Sequence, residues 1–327
     1  MTFTEYKTWQ KAYLEKNPNV FRADCLNPFI SMNYLLDKVE FKSKNITQTE
    51  LYNKWKEINN IEISSDNLGL TRGVRDSLSK LFYIFKNRTI YMPQDVYPRY
   101  AELAKENHIK TFVTYPKTDW ESLKNVENSV ILLTIPFTPM GRELNQEDIE
   151  QIEGLIERKN SIIIDSVYDY NLNENFEKLQ PLFKKGSVVW LHSLSKTYLS
   201  PEVLGIVYFS SMVVKGFFIR AKETYEFKDE VSYNRAYDIM TQIPNLPALQ
   251  QQEFDKGFDH LAENTGLGEV YESEIAYFSV IEEPFEELLK YNILGVPASV
   301  FGSNRKDLTI VTGLFYLGEL AQNTKRR

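Results

Sequence analysis

The chain reads as an α/β fold: a mostly parallel sheet flanked by helices, followed by a smaller α+β C-terminal domain. Three observations predict this. Between residues 61 and 210, short β-rich runs alternate with helical patterns, the rhythm of successive βαβ units. Three of those runs, 129–135, 161–165 and 187–191, are apolar almost throughout, as strands covered on both faces must be. After Ser210 the pattern turns helical and closes on short strand signals near 293–296 and 308–311.

Taken in order, residues 1–58 carry amphipathic helical patterning at 6–14 and 48–58, broken at Asn17-Pro18 and Asn27-Pro28. They form an N-terminal arm that belongs in part to the small domain. The large domain spans 59–210. It opens with a strand at 61–65, the Gly73 turn and a helix over 74–85, then a strand at 89–92 and a helix over 98–107. A strand at 111–115 follows. The run 129–135 stops at Pro136-Phe137-Thr138-Pro139-Met140-Gly141 and leads into a helix over 145–158 with acidic residues in its first turn. Strands at 162–165, 188–191 and 205–209 complete this part. Residues 211–327 read as helices at 212–227, 235–241, 249–257 and 269–281, then the closing strands.

At 327 residues the chain can bury a sizeable core and divide into two domains. The net charge of −7, with no long basic stripe, disfavours a nucleic-acid partner. Lys325-Arg326-Arg327 reads as a solvated tail. A lone cysteine, Cys25, rules out an intramolecular disulfide framework and suits a reducing cytoplasm. The N-terminus lacks a basic stretch followed by an apolar core, and no apolar run approaches a membrane span. A cytoplasmic protein with no membrane partner is expected. Only His108, His192 and His260 are present, and none has ligand spacing with another, so no metal is expected.

The chemistry concentrates at strand ends. Ser193-Leu194-Ser195-Lys196 directly follows the run 187–191, leaving Lys196 at the strand mouth beside two hydroxyls able to donate to an anion. A half-buried lysine with a lowered pKa is what Schiff-base chemistry needs. The run 161–165 ends in Asp165, with Tyr168 three residues later. Asp165 precedes Lys196 by 31 residues (196 − 165), room for a crossover and the next strand, so both groups reach one sheet edge.

These stretches, with Thr71-Arg72-Gly73-Val74, Pro93-Gln94-Asp95-Val96-Tyr97-Pro98-Arg99-Tyr100, Pro136 to Gly141 and Val296 to Gly302, resemble the pyridoxal-phosphate (PLP) enzymes of fold type I. Within these it is the class I/II aminotransferase superfamily that has them in this order. The resemblance covers about residues 60 to 315. It implies that Lys196 forms the Schiff base with PLP and moves the proton at the substrate carbon, while Asp165 keeps the pyridine nitrogen protonated. It further implies that Tyr168 donates to the PLP 3′-oxygen and that Tyr97, with Tyr100 as its rival, stacks on the ring. Thr71, Gly73, Val74, Ser193 and Ser195 would hold the phosphate, with Arg72 or Arg75 adding charge. A homodimer is implied as well, with the N-terminal segment and Tyr233-Asn234-Arg235 reaching toward the partner.

The chain also departs from the family pattern. Thr138 stands where the family has an asparagine that donates to the 3′-oxygen. Leu204 stands at the phosphate-binding arginine and Thr309 near the substrate-carboxylate arginine. Arg305 or Arg235 is the expected replacement for that last grip. The implied activity is aminotransferase-like, on an amino acid or amine in specialised metabolism. A PLP lyase, oxidase, decarboxylase or cyclase on the same scaffold stays open, as does a non-catalytic homologue.

Overall fold

A seven-stranded sheet organises the chain in its computed structural model, which describes residues 1–25, 27–223, 229–265 and 278–313. Its strands are β2 (Leu68–Thr71), β3 (Ile90–Pro93), β4 (Ile109–Phe112), β5 (Val130–Thr134), β6 (Ser161–Ser166), β7 (Val188–Ser193) and β8 (Gly205–Phe209). The spatial order is β2-β8-β7-β6-β5-β3-β4, parallel throughout except that β8 runs antiparallel to both neighbours. Every residue of β5, β6 and β7 is buried, which is why these strands read as continuous apolar runs rather than as alternation.

Register places Thr134 beside Asp165 and Asp165 beside Leu191. The segments that leave β5, β6 and β7 therefore emerge side by side at one carboxyl edge, where open α/β sheets bind ligands. Helices cover both faces. Gly73–Ile84 and Met212–Glu223 pack with the Phe82, Phe209 and Phe218 cluster on one side. Gln146–Glu157 and Leu172–Phe183 lie with the Phe176, Phe183 and Trp190 cluster on the other.

The N-terminal segment meets residues 293–295 outside this sheet. The short strand β1 (Phe21–Arg22) pairs in parallel with β10 (Ile293–Leu294). A separate antiparallel sheet has the order β11-β12-β9, from β9 (Phe278–Ile281), β11 (Val296–Pro297) and β12 (Thr309–Thr312). The helix Phe3–Lys16 begins with a Thr2–Glu5 capping box, and the Tyr6 hydroxyl donates to the Gly295 carbonyl at 2.8 Å. Residues 42–43 donate to Asp238 on the helix Glu230–Gln242.

Several sequence expectations change. The strand expected at 61–65 is irregular chain and the true edge strand is β2, a four-residue piece interrupted by Gly69. The strand expected at 111–115 is β4, which ends at Phe112; beyond it the Tyr115–Pro116 peptide is cis. The helix at 98–107 shortens to Arg99–Leu103. The helix expected at 269–281 falls partly outside the described residues, and its described end is β9, whose four residues are all buried. The helix Leu172–Phe183 was not anticipated, although Leu172, Phe176, Leu179 and Phe183 lie at helical spacing on its buried face. The tail at 325–327 lies outside the described residues.

Candidate active site

Where β5, β6 and β7 end, a cavity of about 520 Å³ opens. Lys196 lies in the short helix Leu194–Thr197, directly after β7. Its Nζ donates to Asn27 Oδ1 at 2.9 Å and stands 6.0 Å from the Tyr168 ring centroid. Burial drives its pKa down to about 8, with the Arg75 charge adding to the fall. The amine is therefore partly neutral near physiological pH.

Asp165, on β6, is almost fully buried and lines the same cavity. Burial raises its pKa to about 6, while the Tyr100 hydroxyl and the Val167 amide, both donating to the carboxylate, pull the other way. Tyr100 thus steadies Asp165, and both Tyr97 and Tyr100 line the cavity. Tyr97 meets Phe3 edge-to-face at 5.6 Å and Tyr100 likewise at 5.9 Å. Both tyrosines were visible in the sequence, but only the fold separates their partners.

The turn between β2 and the helix Gly73–Ile84 is built by exclusion. Gly73 has φ +76°, and a Cβ there would lie 2.5 Å from Val203 Cγ1; a Cβ on Gly205 would lie 2.9 Å from Gly73 Cα. Two glycines packed this tightly bring the first-turn amides of Gly73 and Val74, which have no helical acceptor, to the cavity wall. Ser193 and Ser195 line the wall with their hydroxyls 2.8 Å apart. Arg75 lines it too.

Not every expected residue arrives. Thr71 is fully buried and its hydroxyl is 2.8 Å from Ser77 Oγ, bracing the Gly73 turn from behind instead of lining the cavity. Thr138 does line it, but its hydroxyl donates to the Asp95 carbonyl, tying two loops together. Arg305 is exposed and forked onto Asp307. Arg235 is paired with Glu202. Neither lines the cavity in this structure, where each is paired with an acidic neighbour. Thr309 is buried and donates to the Glu283 carbonyl. Leu204 is core.

The sequence reading also missed cavity residues from the N-terminal segment: Lys7, Arg22 and Asp24. Their signal was absent, since the N-terminal segment is held there by residues far along the chain, through the β1–β10 pairing, the Thr312 amide on the Ala23 carbonyl and the Tyr6 hydroxyl on Gly295.

A buried carboxylate, an amine of lowered pKa and a glycine-built turn share one cavity at the carboxyl edge of the parallel sheet. Sequence comparison gives the class: the model of aminotransferase class I and II matches residues 45–232. That is more than half of the chain, which belongs to this family. It is a PLP-dependent enzyme of the aminotransferase type, and the residues present fit the cofactor.

The fold is shared with solved structures. The Escherichia coli protein YbdL, described with a methionine aminotransferase function, superposes with a TM-score of 0.74 at 14% identity, over 97% of this chain and 96% of that one. A double mutant of Thermus thermophilus aspartate aminotransferase gives 0.75 at 14%, over 98% and 94%. A PLP-bound C-S lyase from Staphylococcus hominis gives 0.70 at 16%, over 94% and 88%. At such identities the likeness concerns the fold alone. No curated protein shows detectable sequence similarity. Among the described residues, no helix is long and apolar enough to cross a membrane.

Proposed function

We propose that this cavity holds PLP on Lys196 and carries out aminotransferase-like chemistry on an amino acid or amine in specialised metabolism. The observation that carries the reading is one cavity lined by a partly neutral Lys196, just after β7, and by a buried, hydrogen-bonded Asp165 on the adjacent strand β6. Asp165 would face the pyridine nitrogen and Tyr97 the ring, with Tyr168 at the 3′-oxygen. The Gly73 and Val74 amides, Ser193, Ser195 and Arg75 would take the phosphate, Arg75 supplying the charge that Leu204 cannot.

When bound, PLP supplies an aldehyde that condenses with an amine and a ring that draws electron density from the neighbouring carbon. The chain's residues do the rest. Lys196 Nζ, uncharged in a useful fraction, takes and returns a proton at the substrate carbon. Asp165 stays ionised above about pH 6 and favours a protonated partner. Tyr100 holds that carboxylate in one orientation. Phe3, Val96 and Phe301 line the same cavity with apolar surface, which helps exclude water.

Purified protein should be yellow, its visible band removed by borohydride and absent from Lys196→Ala. A colourless protein that takes up no PLP overturns the reading. A lyase reaction on the same scaffold is the second reading.

We further propose a cytoplasmic homodimer. The single cysteine supports the first part. The apolar surface of Tyr83, Val213 and Phe217, each about half exposed or more, supports the second. Sedimentation showing an active, PLP-loaded monomer would contradict the dimer.

A further inference from the structure

Four side chains of the N-terminal segment form one connected unit at the cavity. Asp24 is almost completely buried and accepts from Arg22 Nε at 2.5 Å and Arg22 Nη2 at 3.2 Å. Gln10, also buried, donates to the second oxygen of Asp24 and accepts from Lys7 Nζ at 3.0 Å. Lys7 Nζ additionally lies 5.7 Å from the Phe3 ring centroid and 5.6 Å from that of Tyr6. Lys7, Arg22 and Asp24 all line the cavity that Lys196 and Asp165 line.

The charge of this unit does not balance. Two cations face one carboxylate, and Gln10 brings no charge. The Asp24 carboxylate holds the guanidinium along its Nε–Nη2 edge, so among the described residues Nη1 has no acceptor. The Arg22 side chain is part-exposed and lines the cavity, so its unused donors are open to an incoming anion. A guanidinium already clamped on one edge has also given up most of its rotamer freedom before ligand arrives, which favours tight, oriented pairing.

We infer that Arg22, set by Asp24 and Gln10 and assisted by Lys7, is an anion subsite of this cavity that takes a carboxylate of the substrate. This rests on the reading that the cavity binds PLP and an amine. Arg22 carries the role that neither Arg305 nor Arg235 is placed to fill. It also selects amine substrates that bear an acidic group over those that lack one.

The test is a spectroscopic titration of PLP-loaded protein with two matched pairs. L-Phenylalanine and 2-phenylethylamine differ by the α-carboxylate; L-glutamate and L-norvaline differ by a distal one. In the wild type, the anionic member of at least one pair should bind at least tenfold more tightly, and the responding pair identifies which carboxylate is held. Arg22→Gln should abolish that advantage while leaving the visible cofactor band in place. Because Arg22→Gln strands a buried carboxylate, the double variant Arg22→Gln/Asp24→Asn is measured beside it, with the same expectation. Equal binding within both pairs by the wild type, an advantage that survives in the double variant, or no response to any of the four probes overturns the subsite. A protein that never takes up PLP overturns the cofactor reading beneath it.

Discussion

Lys196 and Asp165 have pKa values displaced by the same cause, removal from water, and in opposite directions in charge. Burial lowers the lysine to about 8 and raises the aspartate to about 6, so between those values the free enzyme holds a carboxylate beside a mostly protonated amine. Condensation with an aldehyde requires the neutral amine. The rate of PLP uptake by the apo protein should therefore rise about tenfold per pH unit below 8 and level off above it, as followed by visible absorption. The linkage for Asp165 runs the other way. Its folded pKa exceeds the unfolded value of 3.8, so its contribution to stability is full below 3.8 and is lost as pH rises through about 6. Asp165→Asn, neutral throughout, should remove that slope from urea midpoints measured across pH 4–7. It should retain PLP yet slow turnover by orders of magnitude. Tyr100→Phe withdraws a donor from the carboxylate, so the acidic limb of turnover should move to higher pH with cofactor still bound. Lys196 and Asp165 were legible in the sequence because a strand followed by a polar residue needs no partner to be recognised. Tyr100 was not, since two tyrosines three residues apart are indistinguishable until one hydroxyl finds Asp165. Arg22 was invisible for a different reason: its partners are local, but the cavity it lines is built from residues far along the chain.

The long buried elements announced themselves and the short ones did not. β5, β6 and β7 are unbroken apolar runs, whereas β2 is four residues containing Gly69 and carries too little pattern to outweigh the adjacent 61–65 stretch. The helix Leu172–Phe183 was obscured by Pro181 within it. The β2-to-helix turn is the element with the sharpest requirement. Gly73→Ala forces a side chain into the left-handed region and against Val203. It should lower stability by about 1–3 kcal/mol in urea unfolding and weaken PLP retention together. A Val203→Ala background should recover only the part of that loss due to the clash, leaving the part due to φ.

At the scale of the whole molecule, the site is assembled from the large sheet, the N-terminal segment and the C-terminal sheet. The parallel order of the large sheet followed from its alternating pattern, but the joining of the N-terminal segment to β10 could not, because a two-residue strand such as β1 has no periodicity to read. That joining sets a schedule for synthesis. Phe21 finds its partner only at Ile293, 272 residues later (293 − 21). At a translation rate of about 5–20 residues per second, the first segment waits roughly 15–55 s after it is made. Throughout that interval Tyr6, Val20 and Phe21 have no β10 or Gly295 to cover them. The newborn chain thus carries a sticky leading end, and the cavity cannot close until Phe301 and Ile310 of its wall have been made.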